Sequence, residues 1–171
     1  MRLKTVVCMG VLIALTSFPL LAVETHCQEQ ELVIFSCSLG KKTVSVCASS
    51  DFSFSNGYLQ YRFGQKSALE LVFPTLIEVT GRSQLIQART LMFAGGGGGY
   101  LRFINGQYHY IVYTAMGKEW GAKDGVAIEK DSRLIANLAC QDIPISKLSE
   151  EFFTRAGLSM DRIEFLIPGT D

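Results

Sequence analysis

Over its first 115 residues the chain is dominated by runs in which apolar and polar residues alternate with a period of two, divided by turn-forming clusters. That period puts alternate side chains on opposite faces of an extended strand, so it points to sheet rather than helix. Leu32 to Ser38 and Thr43 to Cys47 are two such runs, and Leu39-Gly40-Lys41-Lys42 between them reads as a hairpin turn. Val33, Phe35 and Cys37 fall on one face, and Val44 and Val46 alternate with Thr43, Ser45 and Cys47. Asn56-Gly57 introduces a strand at Tyr58 to Phe63, and Leu69 to Phe73 follows, stopped by Pro74. Thr75 to Thr80 and Ser83 to Phe93 look extended, with Gly81-Arg82 as the turn between them.

The sharpest local signal is Asn105-Gly106, a dipeptide that accepts the positive φ angles of a type I′ turn. Centred there, the hairpin pairs Ile104 with Gln107, Phe103 with Tyr108, Arg102 with His109 and Leu101 with Tyr110. Leu101, Phe103, Tyr108, Tyr110 and Val112 then form the core face, with Arg102 and His109 together on the other. Met116 to Gly125 has the glycines and charges of a loop, and Val126 to Lys130 with Arg133 to Cys140 form a hairpin around Asp131-Ser132. One helix follows, with Ser146 as its cap, Leu148, Phe152 and Phe153 as its apolar stripe and Gly157 as its stop. Glu150-Glu151 suits the dipole of its first turn. Ile163 to Ile167 adds a last strand. About nine strands and one late helix make a mainly β protein, an antiparallel sandwich or barrel with a C-terminal helix. No sustained strand–helix alternation supports a doubly wound sheet.

The first 22 residues have the form of a secretory leader: Arg2 and Lys4, an apolar run from Val6 to Leu21 broken by Pro19, and a small exit residue, Ala22. The run is too short and too interrupted for a convincing membrane span. Cleavage after Ala22 leaves residues 23–171 as one β-rich domain with 14 basic and 16 acidic residues, a net charge of −2. That balance favours neither nucleic acid nor an anionic membrane as partner. Thr25-His26 before Cys27 argues against a lipoprotein. The expected location is the bacterial periplasm or the exterior.

Cys8 leaves with the leader, so Cys27, Cys37, Cys47 and Cys140 remain, an even set suited to an oxidising compartment. Three pairings are possible. In the first hairpin Cys37 faces Val44 while Cys47 lies near Ile34 on the opposite face, which disfavours a direct bond between them. The preferred set is Cys27–Cys47 and Cys37–Cys140. A zinc site would need closely spaced thiolates, and spacings of ten, ten and ninety-three do not supply them.

No catalytic motif stands out. His26 is beside Cys27 near a mobile terminus, and His109 stands by Arg102 with no recognisable nucleophile or orienting carboxylate. No G-x-S-x-G, H-E-x-x-H or Walker-type loop is present, and Gly40-Lys41-Lys42-Thr43 lacks the upstream glycine of a P-loop. The carboxylates are scattered, and no cofactor or metal is expected. Arg62, crowded by aromatics, reads as a structural arginine that stacks or pairs with a carboxylate. Tyr58 to Phe63 and Tyr100 to Phe103 share aromatic-rich strand chemistry rather than a repeat.

Two loops are more informative. Gly95 to Gly99, with Gly97 at its centre, is an uninterrupted glycine run leading into Tyr100; it reads first as a flexible connector and second as a close approach for another backbone. The second loop holds Lys118, Glu119, Trp120, Lys123 and Asp124, and its only tryptophan either anchors an interface or folds back to plug one end of the sandwich.

Phe35-Ser36-Cys37, the stretch Gly40-Lys41-Lys42-Thr43-Val44-Ser45-Val46-Cys47-Ala48-Ser49 and Tyr58-Leu59-Gln60-Tyr61-Arg62-Phe63-Gly64 resemble a family of small exported bacterial proteins of unknown function. The glycine-rich turn and the Leu134 to Cys140 strand fit it too. The resemblance spans most of residues 23–171 and implies export and a cysteine framework, with no activity or residue roles. The leading expectation is a non-enzymatic binding protein, an inhibitor or immunity protein that neutralises a cell-envelope hydrolase or toxin. It would bind through Gly97, Tyr100, Lys118, Glu119, Trp120, Lys123 and Asp124. The alternative is a glycan- or small-ligand-binding module with Tyr58, Tyr61, Tyr100, Tyr108 and Trp120 as stacking platforms; a hydrolase assembled from distant residues ranks third.

Overall fold

Alternating side chains need a second apolar surface to bury their inner face, and here each of two sheets supplies it for the other. The computed structural model describes residues 24–53, 55–75 and 84–170. The leader, nearly all of the run expected from Thr75 to Thr80 and the Gly81-Arg82 turn lie outside the described residues.

The first sheet is built from β1 (Leu32–Ser38), β2 (Thr43–Ala48), β3 (Leu59–Gln65), β4 (Ala68–Phe73) and the short β10 (Ile145–Ser146), in the order β10-β1-β2-β3-β4. The second holds β5 (Ile86–Phe93), β6 (Gly96–Asn105), β7 (Tyr108–Gly117), β8 (Gly121–Lys130), β9 (Arg133–Ala139) and the short β11 (Ser159–Met160), in the order β11-β5-β6-β7-β8-β9. Every pairing is antiparallel except β11 with β5. Neither sheet closes on itself, so the architecture is a sandwich and the barrel alternative falls away.

Phe35, Val44, Val46 and Tyr61 of the first sheet meet Ile86, Leu101, Phe103, Val112 and Val126 of the second in one buried cluster. Each such apolar side chain taken from water contributes about 1.5–3 kcal/mol. Helix α1 (Glu150–Ala156) adds Phe152, Phe153 and Ala156 to the same core. Its cap is Ser149, not Ser146: the Ser149 hydroxyl accepts from the Phe152 N–H, and Gly157 ends the helix in the left-handed conformation. Ser146 belongs to β10 instead. Both disulfides form as the hairpin geometry favours, Cys27–Cys47 and Cys37–Cys140. A bulge at Ile34 puts Val33, rather than Ile34, opposite Cys47.

Three further expectations change. The β6–β7 turn centres on Gly106-Gln107, so Asn105 pairs with Tyr108 and Ile104 with His109. Gly106 takes the positive φ (61°) that the turn requires. The slip of one turn position keeps every side chain on its expected face, because both partners shift together; only Tyr108, at the end, is left exposed. The stretch from Met116 to Gly125 is not a loop but the end of β7, a three-residue turn and the start of β8. Residues 163–167 form no strand; they lie across the outer face of the second sheet, where Phe165 and Ile167 are buried against Tyr100, Ile111, Tyr113 and Ala127.

Each sheet therefore carries a strap on its outer face, and each strap is held by a buried arginine. Residues 24–31 cover the first sheet, tied by Cys27–Cys47. Arg62 donates through Nη1 and Nη2 to Glu31 (2.7 and 2.6 Å), through Nη1 to the His26 carbonyl (2.8 Å) and through Nε to Gln60 (2.9 Å). Against expectation His26 is fixed: Nε2 lies 3.1 Å from the carbonyls of both Thr43 and Gly64, so it carries a proton shared between them. Residues 159–170 cover the second sheet. Arg102, fully buried, donates through Nε to Asp161 Oδ2 (2.6 Å) and through Nη1 to Glu129. The Tyr100 hydroxyl donates to the same Asp161 oxygen (2.9 Å), and Asp161 Oδ1 accepts the Ile163 N–H (2.9 Å).

Asp161→Asn, which leaves a buried guanidinium short of its counter-charge, is expected to cost about 3–5 kcal/mol in urea unfolding. The triple change Arg102→Met, Glu129→Gln and Asp161→Leu, which removes every charge of the cluster, should recover much of that loss. The first strap adds an acid dependence. Burial pushes the Glu31 carboxyl up, but hydrogen bonds from Arg62, Tyr58 and the Gln28 N–H outweigh it and hold the pKa below the ordinary 4.5. A lowered carboxylate contributes stability that is complete above 4.5 and lost as pH falls through the folded value. Urea midpoints measured from about pH 6 to about pH 2 should therefore fall on the acid side, and Glu31→Gln should flatten that limb.

Candidate functional site

The two loops nominated by sequence meet. Because β6 pairs with β7 over its whole length, the β5–β6 turn at Ala94-Gly95 and the β7–β8 turn at Lys118-Glu119-Trp120 emerge side by side at one end of the second sheet. A Cβ placed on Gly95 would lie 3.1 Å from the Lys118 Cβ.

The glycine run is strand, not flexible connector. Gly96 to Gly99 open β6; Gly97 to Gly99 pair on both sides, and Gly96 pairs with Phe93 of β5. The reason is close approach: a Cβ on Gly96 would sit 1.9 Å from the Met116 carbonyl oxygen, and one on Gly98 2.2 Å from that of Thr114. No side chain fits at either position without parting the strands.

The missing side chains shape the surface. Met92, Gly97 and Met116 stand opposite one another across three strands, so two methionines flank a bare stretch of backbone. Met92 is 90% exposed and Met116 60%. Lys118 and Glu119 are exposed at the turn. Trp120 is half-buried: its ring packs edge-on against Phe93 (centroids 5.4 Å apart, planes at 80°) and lies over Gly117, where a Cβ would come within 2.3 Å of it. The ring thus closes one end of the outer cluster while keeping part of its face in solvent. Lys123 and Asp124 stand further along β8, also half-buried, and Asp124 accepts the Thr114 hydroxyl.

Tyr100 does not join this surface. It is fully buried beneath the second strap, and burial together with its bond to Asp161 pushes the phenol well above its ordinary pKa. Of the other rings considered as stacking platforms, Tyr61 is buried in the core and Tyr58 donates to Glu31. Tyr108 lies beneath the Lys130 ammonium (5.4 Å). These rings make no exposed row. Sequence reasoning missed Met92, Phe93 and Met116, although Met92-Phe93 leads directly into the glycine run and Met116 immediately precedes Gly117.

The other polar clusters are structural in form. His109 Nδ1 lies 3.3 Å from Arg102 Nη1 and 3.4 Å from Glu129, inside the charge cluster that holds the second strap. Among the described residues one three-member group has the spacing of a metal site, Cys27, Glu31 and Cys47, but its two sulfurs are joined to each other and its carboxylate is held by Arg62. No helix among the described residues is long and apolar enough to cross a membrane.

Fold and surface together define a disulfide-braced β-sandwich with a loop-built platform at one end. Comparisons of the chain with protein-family models, with curated proteins and with solved structures find no match.

Gly98→Ala tests the pinched pairing beneath the platform. Overpacking of this kind is expected to cost about 1–3 kcal/mol, with faster hydrogen exchange at the amides that join β6 to β7.

Proposed function

We propose that this is an exported, non-enzymatic binding protein whose platform docks on and inhibits a cell-envelope hydrolase or toxin. The observation that carries the reading is the convergence of the two glycine-rich turns. At the end of the sheet they carry Met92 and Met116 on the side of α1 and the part-open ring of Trp120 on the outer side, with Lys118 and Glu119 at the turn between, on a frame stiffened by strand pairing on both sides of β6. An adaptable apolar centre with charged neighbours is the composition of a protein-binding surface, and methionines shape themselves to a partner at low cost. A rigid base lowers the ordering cost of association. Export to the bacterial periplasm or beyond follows from the leader-like residues 1–22 and accords with the two disulfides. The glycan reading loses support from the burial of Tyr61 and Tyr100.

The test is affinity capture from periplasmic extract and from competitor-cell lysate with the disulfides intact, followed by assay of any captured hydrolase. One stoichiometric enzyme whose activity falls on binding is expected. Met116→Lys and Lys118→Glu, both at exposed positions, should weaken that complex at least about tenfold without shifting the unfolding midpoint. Trp120→Ala should weaken it too, with some loss of stability because Phe93 and Gly117 lose their cover. Undiminished affinity in the two exposed variants would overturn the platform, and the absence of any captured enzyme would overturn the inhibitor class.

A further inference from the structure

The edge of β5 that faces away from β6 is only half covered. Across the β5–β6 pair the Ile104 N–H donates to the Leu85 carbonyl (2.7 Å). Antiparallel bonding alternates along the strand, so Gln87, Arg89, Leu91 and Phe93 turn their backbone groups to β6. Ile86, Ala88, Thr90 and Met92 turn theirs the other way. On that side β11 is the one strand among the described residues, and it reaches Gln87 and Ala88 alone. The Asp161 N–H donates to the Ala88 carbonyl (2.9 Å), and the chain then crosses to the outer face, where Phe165 is buried. The N–H and C=O groups of Thr90 and Met92 are thus left without a backbone partner among the described residues, and both residues are exposed. Alongside them, on the side of α1, runs a groove of about 450 Å³. Met92, Phe153, Leu158 and Met160 give it apolar walls, and Arg89 and Glu150 add one charge of each sign.

We propose that the protein partner docks an extended segment here, which joins β5 as a further strand beside Thr90 and Met92. The chemistry of the occupant follows from the groups it must satisfy. Two residues that offer N–H and C=O in the plane of a sheet are matched by extended backbone, in either direction, through four hydrogen bonds. Every second side chain of that segment falls on the α1 side, where the groove takes an apolar one. The opposed charges of Arg89 and Glu150 select neither an acidic nor a basic segment. β11 already lies along the same line, so the position admits a strand. A second copy of the chain is the poorer occupant. Pairing β5 with its own edge would set both α1 helices on one face of a seam limited to residues 89–93. The inference rests on the binding reading above and deepens it, because Met92 belongs to both the platform and this edge.

The test is selection of a phage-displayed random heptapeptide library on the disulfide-intact protein, then amide hydrogen exchange with the enriched peptide, synthesised with blocked ends. No captured enzyme enters, so a failure here leaves the inhibitor assay standing, and the reverse also holds. The expected peptide has apolar residues at alternate positions and a Kd of about 100 μM or tighter. It should slow exchange at the Thr90 and Met92 amides and leave those of Arg89 and Leu91, already bonded to β6, unchanged. Thr90→Pro removes one edge donor but no bond to β6, and should weaken binding at least about tenfold. Thr154→Lys, at an exposed position on the groove, should weaken it as well without moving the unfolding midpoint. Any of four results overturns the proposal: no peptide is enriched, protection appears only at other amides, both variants bind undiminished, or the protein self-associates with concentration and protects Thr90 and Met92 without peptide.

Discussion

A guanidinium withdrawn from water has to find its counter-charge, and in this molecule that requirement fixes which piece of chain covers which sheet. Arg102 stands on a central strand among Tyr100, Ile111 and Tyr113, and its counter-charge is Asp161, which arrives on a segment with little regular structure of its own. Arg62 does the same on the first sheet with Glu31. Buried ion pairs add little to net stability against well-packed apolar substitutes. They do penalise wrong arrangements, because a strap laid one residue out of place would leave both charges stranded. The likeness between Tyr61-Arg62-Phe63 and Leu101-Arg102-Phe103 thus reflects a shared job: an inward ring or aliphatic side chain on each side of an arginine that points outward to a strap.

That arrangement explains how a six-stranded sheet remains apolar on both faces. Its inner face packs on the first sheet and α1, and its outer face packs on Phe165 and Ile167. A sheet covered on both sides is held rigid, and rigidity is what the glycine-lined end of β6 needs. Four glycines in succession would otherwise cost backbone entropy with no side chain to offset it. Here Gly96 and Gly98 allow neighbouring carbonyls to come closer than any Cβ would permit, and the pairing on both sides holds the run extended.

Much of this was legible in the residues. The period of two located β1 to β4 and β6 to β9, Asp131-Ser132 marked its turn, and hairpin geometry selected the disulfide pairs. What failed has physical causes. Glycines carry no side-chain period, so the start of β6 passed for a connector. The charges and glycines of 116–125 mimicked a loop because those strands run past the core into solvent. Asn105-Gly106 and Gly106-Gln107 are competing turns that differ by one position, and cross-strand packing chose the second. Ser146 and Ser149 are both plausible caps by residue type, and the pairing of Ser146 with Phe35 decided between them. The straps were the hardest to read. Their anchoring depends on partners 31 and 59 residues away, and no local pattern announces them. The nominated site residues fared unevenly for the same reason: the loops converge, while Tyr100 is hidden by a segment that sequence alone assigned to a strand.

The two straps also differ in what resists their removal. On the N-terminal side, a pull on Glu24 reaches the covalent stop of Cys27–Cys47 within three residues. On the C-terminal side, nothing covalent intervenes between Gly169 and Cys140, so β11, α1 and the Asp161 latch are held by packing, hydrogen bonds and charge. Local opening that starts from that strap releases about thirty residues, and with them the cover of Tyr100, before it meets a disulfide. The two ends of the molecule thus differ in kind: one strap is closed by a covalent bond, the other by a latch centred on one aspartate.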